Sequence, residues 1–273
     1  MSKSKSLEGE PEENHVKFST DVGYFDKFLE ALEPLHGEGI LVFTDEAVYC
    51  KVADPANVAM CVSKLEGQSL NSLRVEGGDS IQAGVEFDEL RNYLKGVSNN
   101  SELEVTWPVL VDGRRYMRIN IIDEDLQFDT TCIDTDSIRD PPDTDMISPP
   151  VRIVMSGKEL KQAIKHADKV IGSEGNGVKF ITRGDRLIVR TQDKVNGRFS
   201  KTFHQSGPSD EGNLGENSTI VSMDYLGDIK NVIGRASELT FYMNDDYPVR
   251  LDIELDNAGD AKIKYVIAPR LED

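Results

Sequence analysis

Residues 47–65 read AVYCKVADPANVAMCVSKL. Ala47 to Val52 is a strand-forming run, and it follows Ile40 to Phe43 across Thr44-Asp45-Glu46, the pattern of two strands joined by a tight turn. Just upstream, Phe25, Phe28, Leu29 and Leu32 fall at i, i+3, i+4 and i+7, which lays one apolar stripe along a helix, and Gly37 and Gly39 end it. Helix, hairpin and then the Ala53–Met60 segment is the organising unit of the chain.

That unit recurs. Phe25-Asp26, Phe28 and Leu32 correspond to Phe87-Asp88, Leu90 and Leu94, 62 residues on. Leu160, Ala163, Ile164 and Ala167 repeat the helical stripe, and Val178 to Thr182 followed by Arg186 to Thr191 repeat the hairpin at an offset of about 138. Leu226, Ile229 and Ile233 make a fourth stripe, and Ser101-Glu102-Leu103 reappears as Ser237-Glu238-Leu239. Between the halves, residues 129–150 (DTTCIDTDSIRDPPDTDMISPP) hold six aspartates and four prolines, an extended acidic connector. The expected organisation is α+β: an acidic disordered tail over 1–14, an N-terminal domain over 15–128, the connecting loop over 129–150 and a similar C-terminal domain over 151–273, each domain a doubled helix-and-strands unit.

The chain has 273 residues, of which 49 are acidic and 31 basic, a net charge of −18. With 38% apolar residues the composition is globular, and neither a collagen-like period nor an apolar run of the roughly 20 residues a membrane span needs is found. A soluble, cytoplasmic protein is expected. Cys50, Cys61 and Cys132 form no C-x-x-C pair and are expected to be reduced, and His15, His36, His166 and His204 lack zinc-ligand spacing, so no metal or other cofactor is expected. The Gly172–Gly177 stretch fits no phosphate-binding loop and reads as a helix-to-strand turn.

A net charge of this sign argues against nucleic acid as a partner, but the local pattern does not. Lys158, Lys161, Lys165 and Lys169 lie at i, i+3, i+7 and i+11. At roughly 100° per residue they fall within about 80° of one another, opposite Leu160, Ala163, Ile164, Ala167 and Ile171. The other helices carry Lys27, Arg91 and Lys95, and Lys230 and Arg235. Over windows 22–33, 87–95, 157–170 and 224–236, nine basic residues meet nine acidic ones. The helices together are neutral, so the surplus acid lies on strands, loops and tails, and a surface lined by helices repels a polyanion least.

The segment over 47–65, together with Tyr247-Pro248-Val249-Arg250-Leu251, the tail from Lys264-Tyr265-Val266 through Ala268-Pro269-Arg270-Leu271-Glu272, and Ser137-Ile138-Arg139-Asp140-Pro141-Pro142-Asp143 in the connector, resembles the archaeal and eukaryotic sliding-clamp family, the proliferating cell nuclear antigen. The resemblance covers about residues 15–273. It implies two clamp domains per chain and a closed homotrimeric ring with helices lining the pore, through which duplex DNA passes independently of sequence. The nine cations named above would then face DNA.

By the same resemblance, ring closure pairs the segment Tyr116, Met117, Ile119 and Ile121 of one subunit with Arg198, Phe199 and Phe203 of the next. A groove walled by Ala53, Val58, Ile133 or Ile138, Pro248, Val266, Ala268, Pro269 and Leu271 accepts short peptides from DNA polymerase, clamp loader, flap nuclease and ligase. The implied role is a processivity factor in DNA replication and repair, with no catalytic residue. The acidic composition points to a halophilic archaeal setting. A subunit of a heterotrimeric clamp, or a clamp encoded by a virus or plasmid, reads the same way in sequence. An alternative of another class is an acidic enzyme with a carboxylate metal site at Asp134, Asp136, Asp140, Asp143 and Asp145, but this run lacks the glycine and glutamate positions of a calcium loop.

Overall fold

The structure, a computed structural model, describes residues 9–171, 176–193, 197–204, 214–255 and 261–270. The chain divides into two compact units. The first takes the described residues up to Lys51, then Ser63–Asp140 and Ala261; the second takes Val52–Val62 and the described residues from Pro141 to Leu255 and from Lys262 to Arg270.

In chain order, β1 (Glu10–Asp21) runs into α1 (Val22–Leu32); β2 (Glu38–Phe43), β3 (Ala47–Ala53), β4 (Ala59–Glu66) and β5 (Ser72–Glu76) follow; β6 (Ile81–Glu86) runs into α2 (Phe87–Leu94); and β7 (Glu102–Val111), β8 (Arg114–Ile121) and β9 (Leu126–Thr130) complete the first half. The second half repeats the scheme: β10 (Val151–Met155) precedes α3 (Gly157–Asp168), then come β11 (Gly177–Arg183), β12 (Arg186–Asp193), β13 (Gly197–His204), β14 (Glu216–Ser222), which runs into α4 (Met223–Ile233), and β15 (Leu239–Met243), β16 (Val249–Glu254) and β17 (Ala261–Ile267).

Strand pairing shows the duplication more closely than the sequence does. The order β1-β7-β8-β9 in one half matches β10-β15-β16-β17 in the other, and β6-β2-β3 matches β14-β11-β12. The described pairs are antiparallel, with register such as Phe18↔Val105 in the first unit and Phe180↔Val189 in the second. A glycine opens the first helix of each pair for the same reason. A side chain at Gly23 would meet the Asn99 carbonyl at 3.0 Å, and one at Gly157 would meet the Ile233 and Ala236 carbonyls at 2.2 and 2.7 Å. The start of α1 thus packs on the chain that leaves α2, and the start of α3 on the end of α4.

The apolar stripes read from sequence are the buried faces. Phe25, Phe28, Leu29 and Leu32 are 0% exposed, as are Leu160, Ile164 and Ala167. Phe18 packs its ring 5.8 Å from both Phe25 and Phe43, which fastens α1 to its sheet, and Phe180 lies 4.8 Å from Phe241 in the second unit. Among the described residues no helix is long and apolar enough to cross a membrane.

Two expectations are corrected here. The acidic tail does not extend to residue 14: β1 begins at Glu10, with Glu10 and Pro11 paired to Leu110 and Val109, and Arg115 holds the Glu12 carboxylate at 2.6 and 2.8 Å. Residues 1–8 lie outside the described residues. The boundary between domains is also not a single point in sequence, because residues 52–62 belong with the C-terminal half: Ala268 N–H donates to the Val58 carbonyl at 2.8 Å, and the Tyr225 hydroxyl donates to Asp54 at 2.8 Å.

Candidate nucleic-acid and peptide interfaces

Helix α3 is capped by Ser156, whose hydroxyl accepts the Glu159 N–H, and carries Lys165 and His166 in its last turn, where cations favour the helix dipole. Lys158, Lys165 and Lys169 are exposed and Lys161 is half-buried, its aliphatic stem lying over Gly234. Among the described residues these four lysines make no ion pair, so their charge is available to a ligand. Lys230 stands near Gly227 on α4, half-buried, and Arg235 is exposed beyond the helix end. Helix α4 also carries Asp224 and Asp228; burial and the neighbouring Asp224 hold the Asp228 carboxyl above its usual range despite Lys230.

The first unit treats its cations differently. Arg91 on α2 donates through Nε to Asp26 on α1 at 2.9 Å and through its second nitrogen to Glu33. Burial alone would lower the guanidinium, and the hydrogen bonds to Asp26 and Glu33 more than reverse that, so its pKa is raised. Arg91 therefore joins two helices rather than presenting a charge. Lys27 lies 5.2 Å from the Tyr24 ring centroid, and Lys95 hydrogen-bonds Asn92. Sequence reading counted Arg91 among the free cations because a partner 65 residues away leaves no local signal. Changing Arg91 to Met is expected to lower the stability of the first unit by about 1 kcal/mol, the upper end for a partly exposed pair, as a shift of the urea midpoint checks.

The residues proposed for a peptide groove fall in both units. Ala53, Val58, Pro248, Ala268 and Pro269 are half-buried in the second unit. Ile133 and Ile138 belong to the first: Ile133 N–H donates to the Gly84 carbonyl at 2.8 Å, and Ile138 packs where a Gly84 side chain would be. Val266, on β17, is only 4% exposed, so it offers little surface in this chain. Leu271 lies outside the described residues, as do residues 172–175 of the glycine-rich stretch.

The structure adds a residue that sequence reading passed over between Ala53 and Val58. Asp54, 7% exposed, accepts hydrogen bonds from the N–H groups of Ala56, Val58 and Ala59 at 3.0, 2.6 and 2.7 Å and from the Tyr225 hydroxyl. Its signal was the order Asp-Pro-Ala-Asn, in which an aspartate accepts from the backbone of the turn it starts. Asn57, at φ 54°, takes the left-handed position that asparagine tolerates.

Connector aspartates serve as turn acceptors and ion-pair partners. Asp134 accepts the Asp136 N–H at 3.1 Å, Asp143 accepts the Asp145 N–H at 2.9 Å, and Asp145 pairs with Lys264 at 3.3 Å. Among the described residues no group of three or more His, Cys, Asp or Glu side chains is placed to hold a metal ion. Cys50 and Cys61 are buried and Cys132 is half-buried; burial, with Glu89 nearby, pushes the Cys132 thiol up to about 12, and no described cysteine is disulfide-bonded.

The expected subunit edges need one correction. Strand β8 is internal, paired on one side with β7 and on the other with β9. Met117, Ile119 and Ile121 are 0% exposed and belong to the core, while Tyr116 is half-buried. On that side of the sheet the edge strand is β9, which turns back after Asp125 at φ 54°. In the second unit β13 is a sheet edge, with Arg198 exposed, Phe199 half-buried and Phe203 turned inward at 4% exposure. A hollow of about 310 Å³ opens between α3 and β13, lined by Lys158, Gln162, His166, Phe199 and Lys201. His166 meets Phe199 edge-on at 5.9 Å.

No family model matches the sequence. It is 29% identical over 243 residues to a DNA polymerase sliding clamp of Archaeoglobus fulgidus, an alignment spanning 89% of this chain and 93% of the relative. The solved structure of the A. fulgidus proliferating cell nuclear antigen bound to the C-terminal region of FEN-1 superposes with a TM-score of 0.79 at 25% identity, covering 94% of this chain and 99% of that one. The proliferating cell nuclear antigen of Thermococcus kodakaraensis gives a TM-score of 0.76 at 19% identity, with 93% and 100% covered. The chain is a homologue of the archaeal DNA polymerase sliding clamps and has the fold of the proliferating cell nuclear antigen family.

Proposed function

We propose that three copies of this chain close into a ring around duplex DNA and tether replication and repair enzymes to it. The observation that carries this reading is the duplicated arrangement of strand, helix and hairpin, which follows the sliding-clamp fold along nearly its whole length. Retention then comes from topology. A closed ring cannot leave sideways, so its contacts with phosphate need only be weak and independent of sequence. The role makes and breaks no bond. Ring closure is assigned to the edge of β9 in one copy and the edge of β13 in the next, both of which would otherwise be open to unwanted pairing.

The A. fulgidus relative was solved with the C-terminal region of FEN-1. By analogy, the half-buried surface of Val58, Pro248, Ala268 and Pro269 receives short segments of a flap nuclease, and of polymerase, clamp loader and ligase. A net charge of −18 fits a halophilic archaeon, where hydrated carboxylates keep a protein dissolved, and a cytoplasmic site of action follows from that role.

Light scattering after size exclusion, in dilute and in molar potassium chloride, should give about 91 kDa, three times the 30.4 kDa chain. Loaded onto a nicked circular plasmid, the protein should stay bound in salt and be released when the plasmid is cut. A monomer at every salt concentration, or retention that survives cutting, overturns the ring.

A further inference from the structure

The second unit contains a closed circuit of hydrogen bonds that no part of the clamp reading requires. On the first turn of α4, the Tyr225 hydroxyl donates to Oδ2 of Asp54. The other carboxylate oxygen of Asp54 takes the Val58 and Ala59 N–H groups at 2.6 and 2.7 Å. The Val58 carbonyl accepts the Ala268 N–H at 2.8 Å, and two residues on, the Arg270 N–H donates to the Ile220 carbonyl at 2.7 Å. Ile220 lies in β14, which runs straight into α4 and so back to Tyr225.

Two of the residues proposed to receive partner peptides, Val58 and Ala268, are links in this circuit. Their separation is fixed from both ends, by Asp54 on one side and by Ile220 on the other. We propose that Tyr225 and Asp54 are positioning residues for the peptide groove: the Tyr225 hydroxyl holds the Asp54 carboxylate in the orientation that sets the Val58 wall against the Ala268–Arg270 tail. This rests on the groove reading above.

The chemistry suits a fixed support. Asp54 is almost fully buried, and each carboxylate oxygen has two donors, so it has no freedom to turn once Tyr225 is in place. Burial, the hydrogen bond to Asp54 and the charges of Asp224 and Asp228 push the tyrosine hydroxyl up to about 12, which keeps it a donor throughout the physiological range. Without the hydroxyl, one oxygen of Asp54 keeps only the Ala56 N–H at 3.0 Å and the carboxylate gains a rotational freedom that Val58 inherits. A receptor surface that must order itself on binding loses affinity, chiefly through faster dissociation.

The test uses the full chain and a fluorescein-labelled peptide of the C-terminal region of A. fulgidus FEN-1. Tyr225→Phe should weaken binding about tenfold, the scale of one charge-assisted hydrogen bond, mainly in the dissociation rate. Amide exchange should accelerate at Val58 and Ala59, with the assembled mass and plasmid retention unchanged. Asp54→Asn, which keeps the side-chain volume, should act in the same direction, and Tyr242→Phe, which removes a hydroxyl elsewhere in the unit, should bind as wild type. Binding by Tyr225→Phe within twofold of wild type, or exchange raised uniformly across the unit, overturns the positioning role and leaves the clamp intact. Failure of the wild-type chain to bind the peptide while it is retained on circular DNA overturns the groove assignment and this proposal with it.

Discussion

Replacing Lys158, Lys161, Lys165 and Lys169 together by glutamine is expected to cut affinity for a 30-base-pair duplex by at least roughly a hundredfold at about 50 mM potassium chloride. The reason is that these are the cations the structure leaves without an ion-pair partner on a single helix face, spread over roughly 16 Å of helix axis. Each lysine that neutralises a phosphate releases counterions, adding about 0.9 to the slope of log affinity against log salt. Removing four contacts per chain should flatten that slope by up to about 3.6 for each copy that meets DNA, and by up to about three times that for a ring of three. Arg91→Met is the comparison that decides the matter. Its guanidinium is already held by Asp26 and Glu33, so its loss should leave the slope unchanged while it weakens the first unit. A slope flattened as much by Arg91→Met as by losing one lysine of the stripe would mean that the ion pairs open to meet DNA, and the assignment of contact to α3 would fall.

This division between helices bears on how a chain so acidic would hold a polyanion. If the α3 lysines meet DNA and the first unit consumes its arginine internally, the proposed ring would touch DNA through three α3 stripes rather than six equivalent helix pairs. Contacts that few bind weakly and with a shallow salt dependence, which the proposed ring tolerates because topology, not affinity, would retain it.

What the sequence reveals and what it hides follow from the range of the interactions concerned. The helices are legible because a period of 3.6 is local: Phe25, Phe28, Leu29 and Leu32 announce their face within eight residues, and all four are buried. The hairpin over 40–52 is legible for the same reason, its turn being three residues long. The edge strand was missed because Met117, Ile119 and Ile121 alternate just as an edge beside a neighbour would, while the reversal that covers them rests on one left-handed residue, Asp125, inside a run of acids. The Arg91 triad and the Asp54–Tyr225 bond, at separations of 65 and 171 residues, carry no sequence pattern at all.

Asp54→Ala should be strongly damaging to the second unit, costing about 3 kcal/mol and lowering the melting temperature by roughly 10 °C in calorimetry of the full chain. Truncation leaves the N–H groups of Ala56, Val58 and Ala59 and the Tyr225 hydroxyl without their acceptor, in a position too enclosed for water to replace it fully. Asp54→Asn keeps one acceptor oxygen for Val58 and Ala59 and should lose only about 1 kcal/mol. The contrast also has a pH dependence. Burial alone would raise the Asp54 carboxyl, but the hydrogen bonds from Ala59, Tyr225, Ala56 and Val58 outweigh it, and the pKa is lowered. A carboxyl lower in the folded than in the unfolded chain stabilises fully above the unfolded value of about 3.9, and that contribution is lost as pH falls through the folded value. The gap in stability between wild type and Asp54→Asn should therefore stay constant from neutral pH to about 5 and close below about 4. Equal losses from alanine and asparagine, or a gap that does not change with acid, would show that Asp54 acts by filling space and that its charge holds nothing in place.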